Sequence, residues 1–305
     1  MLHDYTAGSP EDADCFWTNL SQQEMAARLR AAGFDVSERI VTQLLEFHDF
    51  HRRSLFKSSA MGTFAQRDAQ FQYIAQIKQS YLDLGLPVLS IDTKKRELIG
   101  PFYRYGWLYS QVRQRVYDHD FPRFAEGVVI PHGIYDVRYN RGYVQLGTSH
   151  DTSAFACDCL ELWWENYGRR LYLSAPEMLL LCDGGGSNSA RTYLFKADLQ
   201  VLANRLGKEF RVLHYPPYCS KYNPIEHRLF PHLSRVCRGM ILSSVELVRQ
   251  LMSRAGTRTG LQVVVEILPR EYATGRQVAA EVKERLNLHR DDFLPQLNYR
   301  IKPAA

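Results

Sequence analysis

Three acidic residues occupy positions where a carboxylate could take part in chemistry. Asp92 and Asp183 each end a short apolar run of the kind that forms a buried strand. Glu226 follows Asn223 and Pro224, which are typical of the cap and the first position of a helix. We therefore expect two carboxylates at strand ends and a third in the first turn of a helix, where the helix dipole favours a negative charge.

A set of three such carboxylates could bind divalent cations and act on phosphodiesters. Mg²⁺ prefers oxygen ligands and keeps several waters, so a few carboxylates suffice to hold it. Two ions, Mg²⁺ or Mn²⁺, about 3.5–4 Å apart can activate the attacking oxygen and stabilise the leaving oxygen. In this interpretation Asp92 is shared by both ions, Asp183 completes the site of one, and Glu226 completes the other. The arrangement is typical of nucleases and transposases with a ribonuclease-H-like fold.

Each of these acids also has an ordinary structural explanation. An Asp at the end of a strand is most often a turn former or a helix cap, and a Glu in a first helical turn usually belongs to the cap. Asp136 and Asp151 are rival acids, the second of them better suited to capping or to supporting the metal site. The specific signal is therefore the combination of two strand-end acids with a later helix-start acid.

The glycine-rich segment 183–188 allows a second interpretation. A loop of this kind before a helix could cradle a nucleotide phosphate. The segment lacks the lysine and the spacing of a P-loop. We favour the alternative in which the glycines leave room for a nucleic-acid strand beside the metal site.

The elements that must position these residues alternate in type along the chain. From residue 87 onward the pattern is strand, hairpin, helix, strand, helix, strand, helix, which favours a mixed sheet flanked by helices. The predicted elements are strands at 87–93, 177–183, 210–215 and 261–268, a hairpin at 137–148, and helices at 152–168, 188–207, from 224, and at 277–286. We therefore expect an α/β catalytic domain of ribonuclease-H-like type over residues 68–305, with a C-terminal extension.

The residues before this domain have a different character. Residues 1–20 are expected to be irregular, and residues 21–67 are typical of a helix-turn-helix-like DNA-binding region followed by a linker. Four aliphatic residues of its second helix would face the interior: Ile40, Val41, Leu44 and Leu45. Four polar residues of the same helix would face outward toward a DNA groove: Arg39, Thr42, Gln43 and Glu46. The first three of them are predicted to contact DNA. An ordinary helical hairpin is the alternative interpretation.

Charge and composition permit a nucleic-acid partner. The chain of 305 residues carries a mild net charge of +5, but residues 208–258 hold nine Lys and Arg against three Asp and Glu. Glu226 lies inside this basic segment, where a phosphate backbone would be attracted. Four basic residues lie close to the proposed ligands and are predicted to contact DNA: Lys94, Lys95, Lys221 and Arg228.

Cysteine spacing and hydropathy restrict the setting. The six cysteines form no C-x-x-C pair, which argues against a structural zinc site. The first residues lack the basic start and apolar core of a signal peptide. No apolar stretch reaches the roughly 20 residues of a membrane helix. We therefore expect a cytoplasmic protein with no membrane partner.

Several motifs, taken in their order, resemble those of a known family. They include VLSIDTKKRELIG at 88–100, CDGGGSN at 182–188 and SKYNPIEHRLF at 220–230. Shorter matches lie at 133–137, 147–152, 163–164, 215–217, 257–261 and 297–299. With these motifs the chain resembles the DDE transposases of bacterial insertion sequences, in particular the Rhodopirellula-type transposase DDE domain, from about residue 20 to the end.

The resemblance implies a function, a cofactor and partners. Members of the family have a ribonuclease-H-like core that cuts the ends of an element and joins them to target DNA with divalent metal. Their catalytic triad corresponds to Asp92, Asp183 and Glu226. The implied partners are double-stranded DNA, as terminal repeats and as target, and further copies of the chain when two ends are paired. The implied setting is the bacterial cytoplasm, in association with the nucleoid.

Two alternatives stand beside an active transposase. Residues 1–20 match the family poorly, and its members usually carry a longer N-terminal DNA-binding region. The chain could therefore be a truncated or decayed remnant that only binds DNA. A general nuclease or ribonuclease H would cut without joining. The sequence leaves the terminal repeat, the target preference and the oligomeric state open.

Overall fold

The computed structural model describes residues 7–9, 12–18, 20–52 and 65–304. It divides into two compact units, Met1–Ala60 and Met61–Ala305. Part of the predicted linker, residues 53–64, lies outside the described residues. No helix within the described ranges is long and apolar enough to cross a membrane.

The first unit begins with a hairpin, where an irregular segment was expected. Strands β1 (Ala7–Ser9) and β2 (Asp12–Trp17) pair in antiparallel orientation. Two helices follow, α1 (Gln22–Ala31) and α2 (Glu38–Phe47). They start where the sequence predicted because Ser21 and Ser37 accept hydrogen bonds from backbone N–H groups of the first turns.

The inner face of α2 is narrower than its apolar pattern indicated. Val41 is buried and packs with Met25 and Ala26 of α1. Ile40 and Leu44 are 41% and 43% exposed, so the prediction that they face inward is wrong. The helical period of apolar residues predicts which face of a helix is apolar. It does not predict how much of that face a neighbouring element covers.

The second unit is built on one large sheet. Its strands are β3 (Val88–Thr93), β4 (Glu97–Ile99), β5 (Gly127–Asp136), β6 (Arg141–Gly147), β7 (Glu177–Cys182), β8 (Glu209–His214), β9 (Gln262–Leu268), β10 (Leu288–Arg290) and β11 (Asn298–Ile301). Their order across the sheet is β10-β11-β8-β7-β3-β5-β6-β9, and β4 pairs with the start of β5.

Strand directions identify the architecture. β3, β5 and β6 form an antiparallel meander. β7 lies parallel to β3 on its other side, and β8 lies parallel to β7. Three antiparallel strands followed by two that run parallel to the first give the ribonuclease-H-like fold, so the predicted fold class is confirmed.

Helices cover both faces of this sheet. They are α3 (Arg67–Asp83), α4 (Ser153–Trp163), α5 (Arg169–Leu171), α6 (Tyr193–Leu206), α7 (Pro224–Arg228), α8 (Phe230–Val236), α9 (Val245–Met252) and α10 (Ala280–Glu284). Side chains of α4 and α6 share one apolar cluster with Leu89 and Ile91 of β3. Side chains of α7, α8 and α9 share another with β5, β6 and β9. Val88 packs with α3.

Two predicted boundaries differ most from the structure. The hairpin expected at 137–148 starts ten residues earlier, because β5 begins at Gly127. The helix expected to start at Asn188 starts at Tyr193, and Asn188 is buried in a 3₁₀ turn. The buried Asn188 donates a hydrogen bond to the carbonyl of Ile91 in β3. That contact ties the glycine-rich segment to the sheet.

Candidate active site

The register of β3 and β7 brings two of the predicted acids side by side. Ile91 of β3 lies opposite Cys182 of β7 in the parallel pair. The next residues, Asp92 and Asp183, therefore leave the same edge of the sheet from neighbouring strands, which are about 4.8 Å apart in a typical sheet. Both side chains are partly buried.

Glu226 reaches the same edge because the start of α7 is bound to β3. Ser90 lies two residues before Asp92 and shares its face of the strand. The Ser90 hydroxyl donates to Asn223 Oδ1 at 2.5 Å and accepts from the Ile225 N–H at 2.9 Å. Asn223 also donates to the Ile91 carbonyl at 3.3 Å. The residue after Ile225 is Glu226, in the first turn of α7.

Two glycines in the sheet allow α7 and α8 to lie this close. A Cβ on Gly133 would stand 2.8 Å from both Ile225 Cδ1 and Phe230 Cε1, and one on Gly142 would stand 2.4 Å from Leu229 Cδ1. Gly133 lies directly opposite Asp92 in the β3–β5 pair. The missing side chain therefore sets the distance between the first acid and the helix that carries the third.

The electrostatics agree with this placement. Burial, followed by the charges of Asp183 and Glu226, raises the pKa of Asp92 to about 8. A hydrogen bond with Glu226 acts in the same direction, and the Thr93 N–H opposes it. Burial also raises the pKa of Asp183, assisted by the charges of Glu226 and Asp151. The carboxylates of Asp183 and Glu226 are thus close enough to Asp92 to disfavour its ionisation.

The donor set fits a hard divalent cation. Carboxylate oxygens are the ligands that such ions prefer, and a bound cation would offset the mutual repulsion of the three groups. Among the described residues, no group of three or more His, Cys, Asp and Glu side chains is arranged to hold a metal ion.

Sequence comparison with protein families gives a match over residues 1–303 to the Rhodopirellula transposase DDE domain. The chain belongs to this transposase family. The match includes residues 1–20, which were expected to match poorly, so that expectation is wrong. Family membership makes the chain a DNA transposase by class, a polynucleotidyl-transferase type of enzyme.

The solved structures that are similar to this chain include Mos1 transposases. A Mos1 paired-end complex with the left transposon end aligns with a TM-score of 0.46 at 14% identity, covering 80% of this chain and 71% of that chain. Mos1 mariner paired-end complexes with Mn and with Mg give TM-scores of 0.45 and 0.46 at 15% and 16% identity, each covering 76% of this chain and 65% of that chain. This chain thus spans about two thirds of those proteins. A comparison with the sequences of curated proteins gave no match.

In this family member, Asp151 lies beside the acidic cluster. Its Oδ1 accepts a hydrogen bond of 3.0 Å from the Thr93 hydroxyl, which also contacts His132 Nδ1 at 3.0 Å. Because Thr93 has one hydroxyl proton and gives it to Asp151, Nδ1 of His132 is the donor of the second bond. Thr152 caps α4, accepting from Phe155 N–H. The structure therefore favours site support for Asp151, as the sequence suggested, and leaves capping to Thr152.

Asp136 has a purely structural setting. It is buried in β5 and accepts hydrogen bonds from the Tyr172 hydroxyl and from the N–H groups of Arg138 and Tyr139. These contacts hold the turn of the β5–β6 hairpin. Asp136 pairs with Leu89, three positions before Asp92, so it is not part of the acidic cluster.

The predicted DNA-contacting lysines near Asp92 differ in their surroundings. Lys94 is 10% exposed, and its ammonium lies 2.5 Å from Glu97 Oε1. Because the Lys94 ammonium is paired with the Glu97 carboxylate, the structure does not favour the predicted contact of Lys94 with a phosphate. Lys95, Lys221 and Arg228 are exposed, and the Lys221 ammonium lies 5.1 Å from the centroid of the Tyr222 ring.

The predicted groove-facing residues of α2 also differ. Arg39 and Gln43 are exposed, as a DNA contact requires. Thr42 is half-buried, and its hydroxyl donates to the Glu38 carbonyl at 3.0 Å. Two of the three residues are therefore exposed, as the prediction of an outward-facing surface requires. Their contact with DNA stays a prediction.

A second set of buried polar residues holds Asp183, and sequence reasoning missed it. His214 Nδ1 lies 2.9 Å from the Asp183 carbonyl, and its Nε2 lies 3.2 Å from the Tyr299 hydroxyl. Burial lowers the pKa of His214 to about 4, so the imidazole is neutral. Gln70 of α3 donates to the His214 carbonyl at 2.9 Å and to Asn298 Oδ1 at 2.7 Å. The sequence contained one signal of this set, the Asn-Tyr pair at 298–299, which is part of a motif shared with the transposase family.

The first testable prediction concerns Gly133. We expect Gly133→Ala to push Ile225 and Phe230 away, because overpacking of this kind costs about 1–3 kcal/mol. The displaced α7 would move Glu226, and a misplacement of about 1 Å can cost about a hundredfold in rate. Metal-dependent DNA nicking should therefore fall far more than the free energy of unfolding suggests. Nicking rates and urea unfolding measure the two effects.

A matched control lies on the same strand. Gly127→Ala places its Cβ 3.9 Å from Ile99, an ordinary contact, and should change neither quantity. Adding Ile225→Val to Gly133→Ala removes one of the two clashing atoms and should restore part of the rate. Wild-type nicking by Gly133→Ala would show that the position of α7 does not govern the reaction.

Proposed function

We propose that this protein is a metal-dependent DNA transposase that cuts the ends of its insertion sequence and joins them to target DNA. Asp92, Asp183 and Glu226 are the proposed catalytic residues. The observation that carries the proposal is geometric: the β3–β7 register and the bonds of Ser90 to Asn223 and Ile225 bring Asp92, Asp183 and the first turn of α7 to one edge of the sheet. Three carboxylates from two strands and one helix converge in this way in a member of a transposase family.

The position of each acid supports a distinct role. Asp92 lies beside the end of β7, which Asp183 follows, and two residues after Ser90, which binds the start of α7, so its position fits a ligand shared by two ions. Asp183 would complete the site of one ion and Glu226 that of the other. When bound, two divalent ions supply an activated attacking oxygen and stabilise the leaving oxygen.

The remaining residues of the site would bind and orient. The hydrogen bonds of Ser90 and Asn223 fix the direction from which Glu226 enters. His214 fixes the backbone at Asp183. Lys221 and Arg228, exposed on either side of Glu226 in the sequence, would neutralise the DNA backbone and attract it to the acids.

The proposed partners follow from this reaction. Terminal repeats and target DNA are the substrates, and residues 21–67 would recognise the repeats, with Arg39 and Gln43 of α2 in a groove. Pairing two ends on DNA would require at least two copies of the chain. A transposase of this kind would work at the bacterial nucleoid in the cytoplasm.

The test uses the DNA that flanks the coding sequence. A supercoiled plasmid carrying both flanking ends is incubated with the full chain and Mg²⁺ or Mn²⁺, beside a plasmid with scrambled ends. We expect cuts at the native ends and joined products whose junctions can be sequenced. Cutting of both plasmids without joining would indicate a general nuclease. Binding without cutting would indicate a DNA-binding remnant.

A further inference from the structure

The segment between β4 and β5 has no role in the site described above. Residues 101–125 contain no strand and only one short 3₁₀ turn, Pro122–Phe124. The segment begins nine residues after Asp92 and is rich in aromatic and basic side chains. We call residues 101–125 the aromatic arm.

The base of the aromatic arm is firmly attached to the sheet. The Gly100 N–H donates to the Leu242 carbonyl at 2.8 Å. Phe102 is 2% exposed and packs edge-to-face against Tyr117 at 5.5 Å between ring centroids. Arg104 donates to Glu97 at 3.2 Å and to the Leu98 carbonyl at 2.7 Å. These contacts give the arm a fixed point of departure at the end of β4.

The arm is held a second time at Gly106. A Cβ on Gly106 would stand 2.7 Å from Arg238 Cβ and 2.9 Å from the Gly239 nitrogen, in the turn that follows α8. The φ angle of Gly106 is 141°, which also favours glycine. The backbone of the arm therefore lies directly on this turn, and the side chains around Gly106 are directed by it.

Beyond these contacts the aromatic rings are exposed to a degree that folding does not explain. Tyr105 is 65% exposed, Trp107 is 87% exposed and Tyr109 is fully exposed, while Tyr103 at the base is 60% exposed. Tryptophan is usually among the more buried residues, and adjoining exposed aromatics mark a binding surface. The arm adds no core contact through these rings, so a ligand is the natural reason for them.

Positive charge accompanies the rings. Arg113 and Arg115 are exposed within the arm, and Lys95 and Arg96 are exposed at its base. A cavity of about 320 Å³ lies at that base, lined by Lys95, Arg96, Tyr103, Arg104 and Asp120. Exposed rings together with cations are the features that bind single-stranded nucleic acid, because every base has a face that stacks.

We propose that the aromatic arm binds unpaired nucleotides of the DNA substrate. Bases would stack on Tyr105, Trp107 and Tyr109, and phosphates would lie against Lys95 and Arg96 at its base or Arg113 and Arg115 within it. The proposal rests on the proposed function, because a cut on one strand near a DNA end frees a short segment whose nucleotides can unpair. The net positive charge of the arm and its base favours DNA over an acidic protein surface as the occupant.

The experiment compares two DNAs without metal. The full chain in chelator is titrated with a labelled, fully paired duplex and with the same duplex carrying an unpaired tail. We expect Trp107→Ala, and more strongly Tyr105→Ala/Trp107→Ala/Tyr109→Ala, to bind the tailed duplex about tenfold more weakly or worse while binding the paired duplex normally. Equal loss on both DNAs, or no loss on either, would overturn the proposal.

Matched variants separate stacking from general apolar contact. Trp107→Phe keeps a planar ring and should keep most of the affinity for the tail, whereas Trp107→Leu should behave as Trp107→Ala. Leu173→Ala removes a side chain that is 85% exposed elsewhere and should have no effect. Thermal unfolding of each variant checks that the fold is intact, which we expect because these rings are outside the core.

A spectroscopic readout assigns the contact to one residue. Trp163 and Trp164 are buried and Trp107 is exposed, so stacking by a base should quench the fluorescence of Trp107. The quench should appear with the tailed duplex and disappear in Trp107→Phe. Trp17, the fourth tryptophan, lies outside the arm and would account for a smaller remaining quench. A quench of unchanged size in Trp107→Phe would count against the arm.

Two further measurements distinguish a failure of this proposal from a failure of the proposed function. Loss of self-association in Trp107→Ala, measured by sedimentation, with unchanged binding of both DNAs would make the arm a contact between copies of the chain and overturn the proposal. Metal-dependent nicking by the wild type tests the proposed function separately. Normal nicking without a tail effect refutes the arm alone, and a tail effect without nicking refutes the proposed function alone.

Discussion

Asp92→Asn is expected to abolish metal-dependent cutting and, at the same time, to stabilise the protein. The substitution keeps the size of the side chain but removes the charge that two ions would share. Because a bound ion is worth several kcal/mol to the transition state, we expect the nicking rate to fall by about a thousandfold or more. Asp292→Asn, an exposed acid of the same unit, is the matched control and should cut normally.

The gain in stability follows from the repulsion among the three acids. The pKa of Asp92 is raised to about 8 by burial and by its neighbours, so its ionised form opposes folding. Protonated Asp92 therefore adds to the free energy of unfolding at low pH. This contribution is lost as the pH rises from about 4, the pKa of Asp in the unfolded chain, toward about 8, the pKa of Asp92 in the folded protein. In chelator, Asp92→Asn should melt about 2–5 °C higher than the wild type at pH 8, with a smaller difference at pH 5.

The combination of the two measurements is decisive. A residue that merely supports the fold would lose activity and stability together when replaced. When a substitution lowers activity but raises stability, the original residue serves function and destabilises the fold. A melting temperature that falls in Asp92→Asn would show that the carboxylate is satisfied by the protein itself and would argue against a metal site.

Much of this site could be predicted because its parts are local in sequence. Both strands are apolar runs with an acid at or next to their end: Asp92 is the last residue but one of β3, and Asp183 directly follows β7, which ends at Cys182. The helix that carries Glu226 starts at Pro224, as the Asn-Pro pair predicted. Each of these signals lies within a few neighbouring residues, where steric and hydrophobic rules apply directly.

The contacts that assemble the parts could not be predicted because they join distant residues. Asn223 has the sequence pattern of a helix cap, yet its side chain makes no cap bond and binds Ser90 and Ile91 instead. Ser90 is 133 positions away in the chain. No local pattern distinguishes an asparagine that caps its own helix from one that fastens the helix to a strand.

The C-terminal strands and the aromatic arm escaped prediction for a related reason. β11 has four residues and becomes a strand by pairing with β8, on the far side of β7 from the β3 strand that carries Asp92. Its Asn298 and Tyr299 then reach the residues that hold Asp183. The apolar residues of the arm follow neither a helical nor a strand period. The sequence therefore did not predict that its aromatic rings are exposed, and the structure was needed to find them.

Divalent cations are expected to bind at the acidic cluster and to control both activity and stability. Chelation should abolish cutting, and Mg²⁺ or Mn²⁺ should restore it. Because an ion that binds only the folded chain stabilises it by RT ln(1 + [L]/Kd), a concentration about a hundredfold above Kd adds about 2.7 kcal/mol. For a unit of this size, that corresponds to a rise in melting temperature of about 5–10 °C.

The same titration with variants locates the ions. Asp92→Asn should lose the metal-induced rise almost entirely, because both proposed ions depend on that residue. Asp183→Asn and Glu226→Gln should each weaken it in part, since each completes the site of one ion. Asp136→Asn, which changes a buried acid outside the cluster, lowers stability by loosening the hairpin turn but should keep the full metal-induced rise. An equal rise in wild type and Asp92→Asn would place the ions elsewhere and remove the basis for the proposed chemistry.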